Sequence, residues 1–136
     1  MSFSIHGDVR LEAAFPLLIT HVRGPWNREL TRRWAAVSLP LAHEFAERGA
    51  WVGAAVVSES MMCTPEALSL HAQMAERMVA EFGMVAAAHV ALPGTEGEKL
   101  MHPVFESMFS RLCPYRRFET LEDMRAWGVA QTGARS

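Results

Sequence analysis

Six histidines (His6, His21, His43, His71, His89 and His102) and two cysteines (Cys63 and Cys113) are the side chains of this chain best suited to ligate a metal, move a proton or attack a carbonyl. None of the histidines falls in HxH, HxxxH or HExxH spacing, so a metal site would have to be assembled entirely by the tertiary fold. His6 and His21 would face each other if the opening strands turned at Ala13-Ala14, but two imidazoles without a carboxylate are a weak ligand set. No metal and no other cofactor is expected. The cysteines are fifty positions apart with no CxxC, which fits reduced thiols better than a disulfide or a zinc site. His71 lies one helical turn from Leu68 and from Ala75 on an apolar face, and His89 lies inside an apolar run. Both read as core histidines.

Nucleophilic chemistry would fall to Ser60 or Cys63, yet neither sits in a glycine elbow and no base is placed beside them by spacing. Gly94-Thr95-Glu96-Gly97-Glu98-Lys99 has its glycines too close together for a phosphate loop, and no Ser or Thr follows the lysine. No pair of carboxylates is spaced to identify a general acid and base. A non-enzymatic protein is expected.

The segment Ser58-Glu59-Ser60-Met61-Met62-Cys63-Thr64 is the most informative, because it joins the end of an apolar run to a helix start. Thr64-Pro65-Glu66 supplies a capping hydroxyl, a proline at the first helical position and an acid in the first turn. A loop between a strand's C-terminal end and a helix N-terminus is where open α/β sheets hold ligands. Adjacent methionines there suit an adaptable contact surface. Arg28, Arg32 and Arg33 add a basic patch to the start of an earlier helix, either a solvated face or a docking site for an acidic partner.

The elements around these residues are readable from periodicity. Phe3, Ile5, Val9 and Leu11 alternate with polar residues, which predicts a half-buried strand interrupted at Gly7. Leu17 to Arg23 is short and β-prone, and pairs back as a hairpin after Ala13-Ala14-Phe15-Pro16. From Asn27, a capping residue, the stripe Leu30, Trp34, Val37, Leu41, Phe45 predicts a helix to Gly49, kinked or split near Ser38 by Pro40. Ala50 to Val57 and Met84 to Leu92 are continuous apolar runs of strand length that each follow a helix, as buried parallel strands do. Between them, Leu68, Ala72, Ala75, Val79 and Phe82 mark the buried side of a helix ending at Gly83. A helix with the stripe Leu100, Val104, Met108 and Leu112 follows, its first turn disturbed by Pro103. Tyr115 to Glu119 reads as an edge strand because of Arg116 and Arg117. A last helix with Leu121, Met124 and Trp127 ends at Gly128. The order is β-β-α-β-α-β-α-β-α, an α/β fold with a mixed, mostly parallel sheet of about five strands and packed helices.

Length and composition agree. The chain has 136 residues, one domain's worth, with half of them hydrophobic and 21% charged. Thirteen basic against fifteen acidic residues give a net charge of -2, so no global field draws the protein to nucleic acid or anionic lipid. The first residues lack the basic and apolar regions of a signal peptide, and no apolar run nears the roughly 20 residues of a membrane span. A cytoplasmic protein is expected, with no integral membrane segment.

Three stretches carry a family resemblance: LLITHVRGPWN before the first long helix, the central strand with Thr64-Pro65-Glu66-Ala67-Leu68, and the closing RRFETLEDMRAW. Together they resemble the STAS (sulfate transporter and anti-sigma factor antagonist) superfamily, in its SpoIIAA-like bacterial branch, over about Phe3 to Trp127. The resemblance implies a single STAS-like domain over 1–130, leaving a frayed tail at 131–136. Anti-sigma antagonists of that family carry an Asp-Ser pair at the helix after the central strand, with the serine phosphorylated by a kinase. The matching positions here are Thr64 and Pro65, so proline replaces the phosphorylated serine and Thr64 is left as the adjacent candidate phosphoacceptor. The family's strand-end Asp falls on an apolar residue, about Val56.

The resemblance implies a non-enzymatic regulatory module that docks a protein partner through the loop and the following helix, with Ser58, Ser60, Met61, Met62, Cys63, Thr64, Pro65 and His71 as the partner or ligand surface. The alternative is a small-molecule or lipid-binding protein, with an apolar ligand between the long helices and the sheet, facing His71 and the methionines. A homodimer through the free sheet edge is a further arrangement this fold permits.

Overall fold

The computed structural model describes residues 8–133. β1 (Asp8–Ala14) and β2 (Leu17–Arg23) form an antiparallel hairpin in which Val9 lies opposite Val22 and Ala14 opposite Leu17. The turn therefore falls at Phe15-Pro16 rather than at Ala13-Ala14. Phe3, Ile5, His6 and Gly7 of the expected first strand lie outside the described residues. The chain continues through α1 (Arg28–Arg48), β3 (Trp51–Ser58), α2 (Pro65–Ala80), β4 (Met84–Val90), α3 (Glu98–Ser110), β5 (Tyr115–Phe118) and α4 (Leu121–Gly133). The sheet order is β1-β2-β3-β4-β5, antiparallel in its first pair and parallel thereafter. This is the mixed five-stranded α/β arrangement expected from the order of apolar runs, and it is consistent with a STAS-like fold.

Side chains of a strand alternate between its two faces, so each central strand serves two cores. Leu17, Ile19, Val52, Ala54, Ala86 and Ala88 pack with Met124 of α4 on one face. Leu18, Trp51 and Ala87 point the other way, to Ala42 and Phe45 of α1 and Met74 and Met78 of α2. Val22 and Val57 continue that face toward Met101 and Phe105 of α3. Three helices thus cover one side of the sheet and one helix covers the other.

Two caps fix helix entry. Asn27 Oδ1 accepts from the Leu30 N–H at 2.8 Å and Thr64 Oγ1 from the Ala67 N–H at 3.1 Å, each a contribution of about 1 kcal/mol. Pro40 does not split α1, which runs unbroken for 21 residues. Pro40 and Ala36 are both exposed, so water can serve the carbonyl that the proline leaves without a donor. The buried side of α1 is Leu30, Thr31, Ser38, Ala42 and Phe45, and Val37 is 49% exposed. In α3 the buried residues are Glu98, Met101 and Phe105, one position on from the expected stripe, and Leu100 faces solvent. Glu98 forms an ion pair with Arg117 of β5, which accounts for a buried carboxylate there. Gly128 does not end α4; it is buried inside it, where a Cβ would meet the Leu17 side chain at 2.7 Å. The missing side chain lets the helix approach the sheet, and α4 carries on through Gln131, Thr132 and Gly133, residues expected to fray.

Candidate functional site

The loop 59–64 is tied down on both sides. Its backbone accepts from the Trp26 N–H at Met62 O (2.8 Å) and donates from Thr64 N to Trp26 O (3.2 Å). On the other side Met61 N donates to Glu96 O at 2.7 Å. Gly24 sits so close to the Ser60 carbonyl that a Cβ there would overlap it. These bonds place Met61 wholly in the core and bury Ser60, whose Oγ accepts from Met62 N at 3.2 Å. Neither presents its side chain to a partner, in contrast to the surface expected of this loop. Met62 is half-buried, and a Cβ on Gly97 would meet its side chain. Cys63 is half-buried as well, and burial pushes its thiol up to about 12, which leaves it a poor nucleophile at neutral pH. Ser58, Thr64 and Pro65 are exposed, with the Thr64 hydroxyl engaged in capping α2. An exposed ion pair, Arg28 with Glu66 at 3.2 Å, joins the starts of α1 and α2.

What the loop does structurally is hold Trp26. The Trp26 ring reaches inward and meets the His71 ring edge-on, with centroids 4.2 Å apart, while Trp34 stacks on His71 at 4.8 Å. His71 is thus 4% exposed, a buried residue of α2 and no part of a surface with the loop. Beside it, between the inner face of β2, β3 and β4 and the helices α1 and α2, lies a cavity of about 60 Å³. Its floor is small: Gly53 and Ala55 of β3 and Ala87 of β4. Its walls are large: Trp26, Trp34, Trp51, Met78 and Met84. Bulky residues from the helices, the strand starts and the β2–α1 connection surround a strip of sheet with little side-chain volume of its own, and the interior is left unfilled where close packing would be the rule.

The polar groups around this space divide into paired and unpaired. Trp34 Nε1 donates to Thr20 Oγ1 at 2.9 Å, Trp51 Nε1 to Phe82 O at 2.6 Å, and His89 Nδ1 lies 2.7 Å from Tyr115 Oη. Among the described residues, Trp26 Nε1, Ser38 Oγ and His71 Nε2 are buried with no partner. All three residues line the cavity. A buried polar atom left unpaired costs about 1–3 kcal/mol, and native structures rarely carry several in one place without something to satisfy them. Burial pushes His71 down to about 3, with His89 a second, like-charged influence, and pushes His89 down to about 3, with His102 adding to it. Both imidazoles are neutral at physiological pH. The Tyr115 phenol is raised above its ordinary value by burial.

On the opposite face of the sheet Glu12 accepts from Arg125 Nη2 at 2.5 Å and from His21 Nε2 at 2.9 Å, which together hold its carboxyl below the ordinary value. The partner considered for His21 in the sequence, His6, lies outside the described residues. Among the described residues no three His, Cys, Asp or Glu side chains gather as a metal site, and no helix is long and apolar enough to cross a membrane.

His71 is the residue that sequence and structure both bring to the site. Trp26, Thr20 and Ser38 are added by the structure. Thr20 and Ser38 left a signal, since each is a polar residue in step with an apolar face: Thr20 between Leu18 and Val22, and Ser38 four residues from Trp34 and from Ala42. Comparison of the chain with protein-family models, curated proteins and solved structures returns no match.

Proposed function

We propose that this STAS-like domain is a binding protein for a small molecule, held in the cavity between α1, α2 and the inner face of β2–β4. The observation that carries the proposal is that three residues lining one largely apolar space, Trp26, Ser38 and His71, each hold a buried polar atom with no partner among the described residues. Ligand sites are commonly apolar concavities with a few convergent polar groups. Binding is favoured over catalysis because neutral imidazoles and a thiol held at about 12 supply little acid, base or nucleophile at pH 7. Native mass spectrometry of protein purified without denaturation tests it. A retained mass of small-molecule size is expected, and Ala75→Leu, which fills the cavity from α2, should abolish it while preserving the fold. A bare mass for the wild type, with no thermal stabilisation by any neutral compound of cavity size, would defeat the proposal.

A second reading, docking of a protein partner at the loop after β3, is supported by Glu59. This exposed non-glycine residue is held at a φ of 69°, a conformation that costs of order 1 kcal/mol, and its carboxylate stands at the end of the central strand beside Ser58, 3.7 Å from the Arg23 guanidinium. Capture of a stoichiometric partner by the wild type but not by Glu59→Gly would support it, and capture unaffected by that change would remove the loop from the interface.

A further inference from the structure

We infer that the molecule taken by this cavity is small and uncharged, with a compact apolar body and one hydrogen-bond-accepting oxygen, a carbonyl or hydroxyl, directed at Trp26 Nε1. This rests on the cavity being a ligand site and goes on to its chemistry. Size comes from the volume: a water needs about 10–15 Å³ of such space, so a cavity of about 60 Å³ offers roughly four water-sized positions, or a body of about four to six non-hydrogen atoms.

Charge follows from the lining. Among the described residues it contains no Asp, Glu, Lys or Arg, and its two histidines are deeply buried. An ionised ligand would be stripped of water with no counter-charge to meet it, which is far more costly than placing a neutral one. Polarity follows from the orphans. An indole N–H can only donate, so Trp26 requires an acceptor from its ligand. Ser38 Oγ can donate or accept, and neutral His71 Nε2 takes either role according to its tautomer. An acceptor oxygen is therefore the one feature the cavity demands, whereas a donor is optional. A saturated hydrocarbon would fill the space and leave all three atoms unpaired.

Three probes of one shape test this: cyclopentanone, its isostere methylenecyclopentane, and cyclopentylammonium. Binding is followed by titration in nitrogen–proton correlation spectra, where the indole N–H of Trp26 reports directly. The ketone is expected to bind about tenfold more tightly than the alkene, in line with one buried hydrogen bond, to shift the Trp26 N–H downfield, and to exceed the ammonium ion by a wider margin. Trp26→Phe should reduce the ketone's preference to near unity. Should that variant fail to fold, the direction of the wild-type Trp26 N–H shift decides the same point. Equal binding of ketone and alkene, or a ketone preference that leaves the Trp26 resonance unmoved, would overturn the assigned ligand class while the cavity stands as an apolar site. Tighter binding of the ammonium ion would overturn it as well. No binding by any probe, with ordered water filling the space, would overturn the ligand site itself.

Discussion

Lowering the pH from 7 to 5 should remove about 4 kcal/mol of folding stability, and His71→Phe should halve that loss. His71 is enclosed by Trp26, Trp34 and Phe105, with His89 as its charged-when-protonated neighbour, and His102 stands beside His89. Burial holds both His71 and His89 near 3 in the folded chain, whereas an unfolded histidine titrates near 6.5. Between those values the unfolded chain takes up protons that the folded chain refuses. Stability is therefore complete above about pH 6.5 and falls as the pH drops, at up to about 1.4 kcal/mol per pH unit for each histidine, or about 2 kcal/mol each by pH 5. Glu12 acts in the same direction only below its ordinary value of 4.5, outside this window. Phenylalanine at 71 keeps a ring against Trp34 and removes one titration. Urea unfolding followed by tryptophan fluorescence at pH 7, 6 and 5 measures the difference, with an unchanged denaturant slope as the control for two-state behaviour. Equal losses in the wild type and His71→Phe would refute the claim that His71 is held neutral by burial.

Three other substitutions or probes address the frame around the cavity. Gly24→Ala drives a methyl into the Ser60 carbonyl and should cost at least about 2 kcal/mol, read as a lower midpoint in the same urea assay; an unchanged midpoint would mean that the two loops separate freely. Arg117→Ala leaves the buried Glu98 carboxylate without its partner and should cost about 3 kcal/mol, with Glu98→Gln in the same background restoring part of the loss. Failure of that rescue would show that the arginine acts through packing instead. Cys63 should react with iodoacetamide at pH 7.5 at least about a hundredfold more slowly than a free thiol, as intact mass will record, and modification at the free-thiol rate would contradict its burial.

Strand positions and helix starts were legible because they depend on local signals. The apolar runs around Val52 and Ala87 could only be buried strands, and Thr64-Pro65-Glu66 marks the start of α2 at the residue observed. The rotational phase of the helices was less so. α2 buries Ala67, His71, Met74, Ala75 and Met78, and α3 buries Met101 and Phe105, because neighbouring apolar residues such as Leu100 and Met101 compete and tertiary contacts choose between them. Gly128 and Pro40 misled for a related reason: each breaks a helix by propensity, and each is accommodated by where its side of the helix faces. The cavity lay beyond sequence patterns altogether. It is enclosed by residues of several helices and strands over a floor of Gly53, Ala55 and Ala87, and no single segment encodes that arrangement. Met61 and Met62 were alike in the sequence, yet the bond from Met61 N to Glu96 O sends one inward and leaves the other partly outside.

The stitching of the 59–64 loop to Trp26 on one side and Glu96 on the other also sets how this region breathes. A surface connection normally exchanges its amide protons and admits proteases through local opening at little free-energy cost. Here the amides of Trp26, Met61 and Thr64 are each bonded across to another strand connection, so releasing any of them requires two chain segments to part, and together the bonds link three connections into one unit. Their exchange should follow the unfolding of the sheet itself, and a protease that cuts ordinary loops should find this one closed until the whole domain opens.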